Sequence, residues 1–364
     1  MAENLVSIKK GTVVKILKSD EFRTDIIVDL DGKYEAAINY NQLTGKINEF
    51  DTVILNTTAV EYNLGTGGYH FVINNIKREK LVVDNVGHIM KLRYTPLQVK
   101  VKAAEEQGSP HHKVFVNFTS LRGFPVIVGS IHSMLLPTVI TLNHLNPKLK
   151  IAYIMTDGAS LPIAFSNTVV NMQKEKLIKA TITIGHAFGG DIECVNIYNG
   201  LIAAKEIVMA DVAIVTMGPG IVGTGTPYGF SGIEQGMLID AVNSLGGTSI
   251  FLPRISFADK RERHYGMSHH SRTVLSKIVN TKTTVIVPKL QLNKKRIIKK
   301  QITDLKINEK HCIVEEEVGM LALVLSKFNN SLSTMDRNFN QDIEFFLTCA
   351  SAAKYSNRLL MTNK

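Results

Sequence analysis

Five short apolar runs, each ending abruptly in Gly, His, Asp or Ser, constrain the fold of this chain more than any other feature. The stretches between them are long enough for a helix, so strands and helices alternate through this part of the sequence. Such an alternation is typical of a parallel sheet covered by helices on both faces. The runs span residues 125–131, 150–155, 180–184, 211–217 and 249–255.

The carboxyl ends of all strands in such a doubly wound, mostly parallel sheet meet at one edge, and ligands bind there. The polar residues that end the five runs should therefore lie close together. We expect one ligand site at this edge, formed by the loops near residues 132, 157, 186, 218 and 259.

The first 80 residues have a different pattern and predict a small β-barrel of the SH3 or OB type. Five short strands follow one another at intervals of about ten residues. Asp31-Gly32, between the second and third strands, is a strong signal for a two-residue hairpin. The loop at 64–70 contains three glycines and either turns a corner of the barrel or contacts a ligand. We predict a connector over 81–120, the α/β domain over 121–290, and a basic stretch with a helical cover over 291–364.

Composition places the chain among ordinary globular proteins, since 45% of its 364 residues are hydrophobic and 20% are charged. No apolar run is long enough for a membrane span, and the amino terminus lacks the pattern of a signal peptide. The three cysteines have no CxxC spacing, which argues for a reducing compartment and against a thiolate zinc site. We expect a cytoplasmic protein without a membrane partner.

The net charge of +10 indicates an attraction for nucleic acids or for small anions. Five of the positive charges lie within residues 294–300. We favour a solvated helix or loop after the last strand for this basic stretch, over a nucleic-acid patch.

A glycine loop follows the fourth apolar run. Residues 218–223 match the G-x-G-x-x-G pattern of dinucleotide-binding proteins, but residues 224–232 cannot begin the required helix. What remains is an extended loop whose backbone amides favour an anion such as phosphate, with an ordinary surface loop as the alternative. Arginines after the fifth run are predicted to clamp the same anion. The predicted anion-binding residues are Gly218, Gly220, Gly223, Thr224, Gly225, Thr226, Arg261 and Arg263.

Acidic and imidazole side chains stand at the ends of the same runs. Asp157 and His186 are the predicted acid–base pair, and neighbouring groups orient them or bind a divalent metal through nitrogen and oxygen. A helix cap or an ordinary loop residue is the alternative for each group, because none has the ligand spacing of a known metal motif. The candidate metal ligands are His132, Asp191, Asp259, His269 and His270, and His264 lies beside the last three.

These features favour an enzyme, or an enzyme-like binder, of a small anionic ligand such as a nucleotide or a sugar phosphate. The alternative is a regulatory protein that binds nucleic acid through its barrel and basic stretch, and senses a metabolite at the sheet edge. The barrel lacks an obvious cluster of aromatic and basic side chains for that role. A third possibility is a scaffold that oligomerises through the barrel.

Several of these motifs together resemble one family of bacterial proteins, found in clostridia, bacilli and actinobacteria and described only as a domain of unknown function. The resemblance covers nearly the whole chain. It implies a bacterial, cytoplasmic protein and carries no activity or catalytic residue with it. The motifs that carry the resemblance span residues 56–61, 64–70, 155–159, 185–191, 217–226, 229–232, 254–259 and 268–270.

Overall fold

The computed structural model describes residues 4–65, 67–78, 80–81 and 86–362. The chain forms two compact units. The first contains the described residues up to Val86 together with Leu92–Val99, and the second contains Gly87–Lys91 and everything described from Lys100 onward.

The first unit is a closed five-stranded barrel with the strand order β1-β2-β3-β5-β4, which confirms the predicted barrel. Asp31 and Gly32 both have positive φ and join β2 to β3 in a two-residue hairpin. Thr66, in the predicted glycine loop, lies outside the described residues. The elements are β1 Ile8–Ser19, β2 Arg23–Leu30, β3 Lys33–Tyr40, α1 Asn41–Thr44, β4 Thr52–Asn56, α2 Thr58–Glu61 and β5 His70–Asn75.

The predicted connector contains two short strands and one short helix, namely β6 Ile89–Lys91, β7 Val99–Val101 and α3 His112–Val116. Lys91 is buried in the second unit, where its ammonium group donates to Glu193 Oε2 at 2.6 Å and to the Ala187 carbonyl at 2.6 Å. A buried lysine needs such partners, because an unpaired charge away from water is costly.

The second unit is built on an eight-stranded sheet whose paired strands all run parallel, which confirms the predicted α/β fold. Its order is β11-β10-β9-β12-β8-β13-β16-β17. The five predicted apolar runs form the middle of the sheet, and β11, β16 and β17 extend it. The strands are β8 Pro125–Gly129, β9 Ile151–Thr156, β10 Ala180–Thr183, β11 Ile192–Glu193, β12 Val212–Met217, β13 Thr248–Leu252, β16 Thr284–Pro288 and β17 Cys312–Glu316.

Helices cover both faces of this sheet because successive strand residues point to opposite sides and both sets are apolar. Within β8, Val126 and Val128 belong to one core, and Ile127 belongs to the other. The first core is closed by α6 Ile197–Ile202, α7 Glu234–Ser244, the π-helical turn that continues α8 His269–Thr273, α9 Leu292–Asp304 and α10 Ile307–Lys310. The second core is closed by α4 Leu135–Leu145, α5 Asn167–Lys174, α11 Gly319–Ser326 and α12 Ile343–Thr362. The unit also contains short turns and short strands. They are 3₁₀ turns at His132–Met134, Ile163–Phe165, Ser231–Ile233 and Glu262–His264, π-helical turns at Ala203–Ile207 and Val274–Ile278, and the two-residue strands β14 Ile255–Ser256, β15 Gly266–Met267, β18 Ser333–Thr334 and β19 Arg337–Asn338.

The connections after the strands change from one face of the sheet to the other at β8, in the middle of the sheet. The chain leaves β8 for α4 on one face, whereas it leaves the neighbouring strands β12 and β13 for α7 and α8 on the other. Adjacent strands that send their loops to opposite faces leave a crevice at their carboxyl ends, and this is where open α/β sheets bind ligands.

The predicted position of the basic stretch after the last strand is wrong, because α9 lies between β16 and β17. The strand β17 is an edge strand in which only Glu316 is buried and two of the five residues are acidic, so it has no continuous apolar run by which to recognise it. Two lysines of α9 are already paired, Lys294 with Glu344 and Lys295 with Glu315.

The long carboxyl-terminal helix α12 lies in the region where a helical cover was predicted, and it packs its buried residues on the second core. Within the described ranges, no helix is both long enough and apolar enough to cross a membrane.

Candidate functional site

A cavity of about 190 Å³ lies at the carboxyl ends of β12 and β13, beside the crevice at β8. The glycine loop after β12 forms one wall, and the cationic segment after β13 forms the other. We call it the arginine cavity. Its lining residues are Ile221, Val222, Gly223, Gly225, Arg254, Arg261, Arg263, His264, His270 and Met335.

Asp259 holds two of the arginines of this cavity in place. Its carboxylate is buried and accepts from Arg254 at 3.1 Å and from both donor groups of Arg261 at 2.8 and 2.9 Å. Burial opposes ionisation, but the hydrogen bonds and charges of the arginines prevail and hold the pKa of Asp259 well below its usual range. Asp259 was predicted as a metal ligand, and its oxygens are instead occupied by guanidinium groups.

Arg263 differs from its neighbours because its side chain has no hydrogen bond or ion pair within the part of the chain that the structure describes. The residue is exposed, and it also lines a second, more open cavity of about 480 Å³. Lys260, Tyr265 and Arg272 line that second cavity as well. Arg263 is therefore available to bind a ligand from solvent.

Two of the predicted glycines reach the arginine cavity. Gly223 and Gly225 line it, and the positive φ of Gly225, +78°, is one that other residues rarely adopt. Gly218 is buried against Met155, and Gly220 does not line the cavity.

The two predicted threonine hydroxyls stabilise the glycine loop itself. Thr224 and Thr226 bond to each other at 2.9 Å, and both also bond to the backbone of Gly229. These hydrogen bonds close residues 224–229 into a compact turn.

Three histidines meet at the wall of the arginine cavity, and we call them the histidine cluster: His264, His269 and His270. Each ring has one nitrogen that lies within 4.8 Å of a nitrogen of each of the other two rings. Burial, with the positive charges of nearby arginines, lowers the pKa of His264 and of His270 to about 3, and the pKa of His269 shifts the same way. All three imidazoles are therefore neutral at physiological pH.

A pair of carboxyl groups lies elsewhere on the same sheet edge. Asp157 follows β9, and its Oδ2 accepts from the backbone N–H of His186, after β10, at 3.2 Å. Gly185 makes this approach possible, since its φ is +61° and a Cβ there would lie 2.2 Å from Asp157 Oδ2. The structure thus brings together the two residues predicted as an acid–base pair, but the contact runs through the backbone of His186.

The second carboxyl group, Glu234, was not predicted from the sequence. It begins α7 and accepts from the Thr156 hydroxyl at 2.5 Å. Burial raises its pKa to about 7, and the nearby charge of Asp157 adds to the effect. A carboxyl group that titrates near neutrality is suited to general acid–base catalysis.

Two predicted metal ligands have other partners. His132 bonds to the Ser166 hydroxyl at 2.7 Å and to the Tyr153 hydroxyl at 3.3 Å, and burial lowers its pKa to about 4. Asp191 is exposed and bonds to the backbone and hydroxyl of Thr181, both at 2.8 Å. Among the described residues, neither belongs to a group of three or more potential ligands close enough to share an ion.

Comparisons with known proteins give a family and no activity. No curated protein and no solved structure matches the chain. The model of a family described as a protein of unknown function, DUF3866, matches residues 36–353, which confirms the extent of the resemblance seen in the motifs. The chain therefore belongs to the DUF3866 family.

Proposed function

We propose that the second unit binds a small phosphorylated ligand, with the phosphate group in the arginine cavity. The observation that carries this proposal is the convergence of Arg254, Arg261 and Arg263 on one cavity that a glycine loop closes from the other side. Guanidinium groups and exposed backbone amides are the donors that phosphate recognition uses most.

The size of the cavity favours one anionic group over a whole ligand. Pockets that enclose drug-sized ligands measure roughly 300–1,000 Å³, and the arginine cavity is about 190 Å³. The remainder of the ligand would then extend toward the second cavity, which shares Arg263 and holds about 480 Å³. Tyr265 offers that remainder an aromatic surface.

We assign proton transfer to Asp157 and Glu234, which lie on the same sheet edge but line neither of the two cavities. Glu234 follows the glycine loop directly in sequence, and its pKa of about 7 lets it exchange a proton at neutral pH. This makes an enzyme the favoured form of the proposal, acting on a nucleotide or a sugar phosphate.

The test is calorimetric titration of the chelator-treated protein with inorganic phosphate, a nucleoside monophosphate and a sugar phosphate at low, fixed ionic strength. Hydrogen bonds to charged groups contribute about 1.5–3 kcal/mol each. We therefore expect Arg263→Ala to weaken binding at least tenfold. Because the side chain of Arg263 makes no hydrogen bond or ion pair with the residues that the structure describes, the variant should unfold at the wild-type temperature.

Arg296→Ala is the matched control, since Arg296 is an exposed arginine on α9 that does not line the arginine cavity. It should bind all three compounds as the wild type does. The absence of phosphate binding in the wild type, or equal binding by the wild type and Arg263→Ala, would show that the proposal is wrong.

A further inference from the structure

We infer that the histidine cluster binds one divalent transition metal through His264, His269 and His270, with a further coordination position open to the arginine cavity. Three imidazoles and an open position are a ligand set that catalytic zinc sites use. This inference goes beyond phosphate binding, which needs no metal.

The geometry of the three rings supports the site. Their centroids lie 4.3 to 5.0 Å apart, and one nitrogen of each ring converges on the same small volume. Two of the cluster's buried nitrogens, His269 Nε2 and His270 Nδ1, have no hydrogen-bond partner. Buried polar atoms are almost always paired, so such atoms call for a ligand that the chain itself does not supply.

Neighbouring residues fix two of the rings. The Ser268 hydroxyl lies 2.7 Å from His264 Nδ1, which leaves the Nε2 of that ring for another partner. Phe230 stacks on His270 with ring centroids 3.9 Å apart and an interplanar angle of 6°. Outer contacts of this kind orient the histidine ligands of metal sites.

The chemistry of the donors selects the class of metal. Neutral imidazoles suit zinc, cobalt, nickel, copper and iron, whereas magnesium and calcium require oxygen ligands. The buried carboxylate of Asp259, whose charge acts on His264, is engaged with arginines.

The surrounding arginines give the site a second property. Arg254, Arg261 and Arg263 share the cavity with His264 and His270, so their positive charges oppose a bare cation. An anion in the cavity removes this repulsion and can complete the coordination of the metal. Metal and phosphate should therefore bind cooperatively, each raising the affinity for the other by the same factor.

The experiment is titration of the metal-free full-length protein with Co²⁺, followed by visible absorption, with bound metal counted after dialysis. We expect one equivalent, with the absorption of a four- or five-coordinate ion, and tighter binding when phosphate is present at a concentration that keeps cobalt dissolved. His269→Gln should weaken Co²⁺ binding at least tenfold. His111→Ala, which removes an exposed histidine outside the cluster, should not change it.

Several outcomes separate this inference from the proposed function. Absence of bound cobalt, or equal binding by the wild type and His269→Gln, overturns the metal site even if phosphate still binds to the chelator-treated protein. Cobalt binding without phosphate binding upholds the metal site and rejects the phosphate proposal. If His269→Gln loses cobalt but keeps the wild-type unfolding temperature and phosphate affinity, the loss is specific to the metal site.

Discussion

Two regions at the same edge of the sheet differ in how they affect the ionisation of a carboxyl group. Around the arginine cavity, the buried carboxylate of Asp259 is stabilised in its ionised form by the guanidinium groups of Arg254 and Arg261. Beside β9, Glu234 is half-buried and has no ion-pair partner among the described residues. Burial, together with the charge of Asp157, raises its pKa to about 7. A carboxyl group is thus a permanent anion in one region and titrates near neutrality in the other, because guanidinium groups offset the cost of its burial only in the first.

Of the variants that test this comparison, removal of Asp259 should have the largest effect on stability. In Asp259→Ala, the buried guanidinium of Arg254 loses its carboxylate partner, and an uncompensated buried charge costs about 3–5 kcal/mol. We expect the free energy of unfolding, measured in urea at pH 7, to fall by about that amount. Asp191→Ala, which removes an exposed carboxylate at the other end of the sheet, should cost clearly less. Equal losses would mean that pairing with the buried guanidinium of Arg254 is not what distinguishes Asp259 from Asp191.

A second variant tests the packing that brings Asp157 to the backbone of His186. Gly185→Ala forces a residue with a side chain to adopt a φ of +61° and places its Cβ against Asp157 Oδ2. We expect a loss of about 3 kcal/mol in the urea-derived free energy of unfolding. Gly108→Ala is the matched control, because a Cβ there meets nothing within 4 Å and its φ is not positive. A wild-type stability for Gly185→Ala would show that Asp157 is not held at this position.

The titration of Glu234 makes the free energy of unfolding depend on pH. Its pKa is raised on folding, so the folded protein binds more protons than the unfolded chain, and the contribution of Glu234 to stability decreases as the pH rises from about 5 to 8. Glu234→Gln keeps an acceptor for the Thr156 hydroxyl and removes the titration. We expect the variant to gain about 2 kcal/mol relative to the wild type between pH 5 and pH 8. Parallel stability curves over this range would place the pKa of Glu234 near its ordinary value.

The smallest effect is expected outside both regions, on α9. Lys299 and Lys300 are exposed, and changing both to Gln should alter the free energy of unfolding by less than about 0.5 kcal/mol per site. Phosphate affinity should not change. The same variant tests the nucleic-acid alternative, since a loss of salt-dependent binding to a short RNA or DNA would support it.

The fold was predictable because its sequence signals are local. Alternating apolar residues and the Asp31-Gly32 turn specify the barrel, and continuous apolar runs specify buried parallel strands. The two-residue strand β11 and the edge strand β17 carry neither signal, so the width of the sheet could not be predicted. Because crossover connections place the carboxyl ends of parallel strands at one edge of the sheet, the sequence also predicted which loops lie at that edge.

The candidate site was only partly predictable, because burial and long-range partners decide the role of each polar side chain. Glu234 has the sequence context of an ordinary acidic residue in the first turn of a helix, and only its burial in the fold, with Asp157 close by, gives it a raised pKa. Asp259 and the arginines are neighbours in sequence, but Arg337 reaches the same carboxylate from 78 positions further on, at 3.7 Å. No pattern in the sequence predicts the contact between Arg337 and Asp259.

The stack of Phe230 on His270 joins the glycine loop to the first turn of α8. Phe230 also pairs with Gly223 across the turn that the two threonines close. Randomising residues 223–230 to alter ligand preference would therefore act at the same time on the orientation of an imidazole forty positions away. Libraries aimed at this protein should vary the aromatic ring and the helix together, because neither has an independent conformation to select.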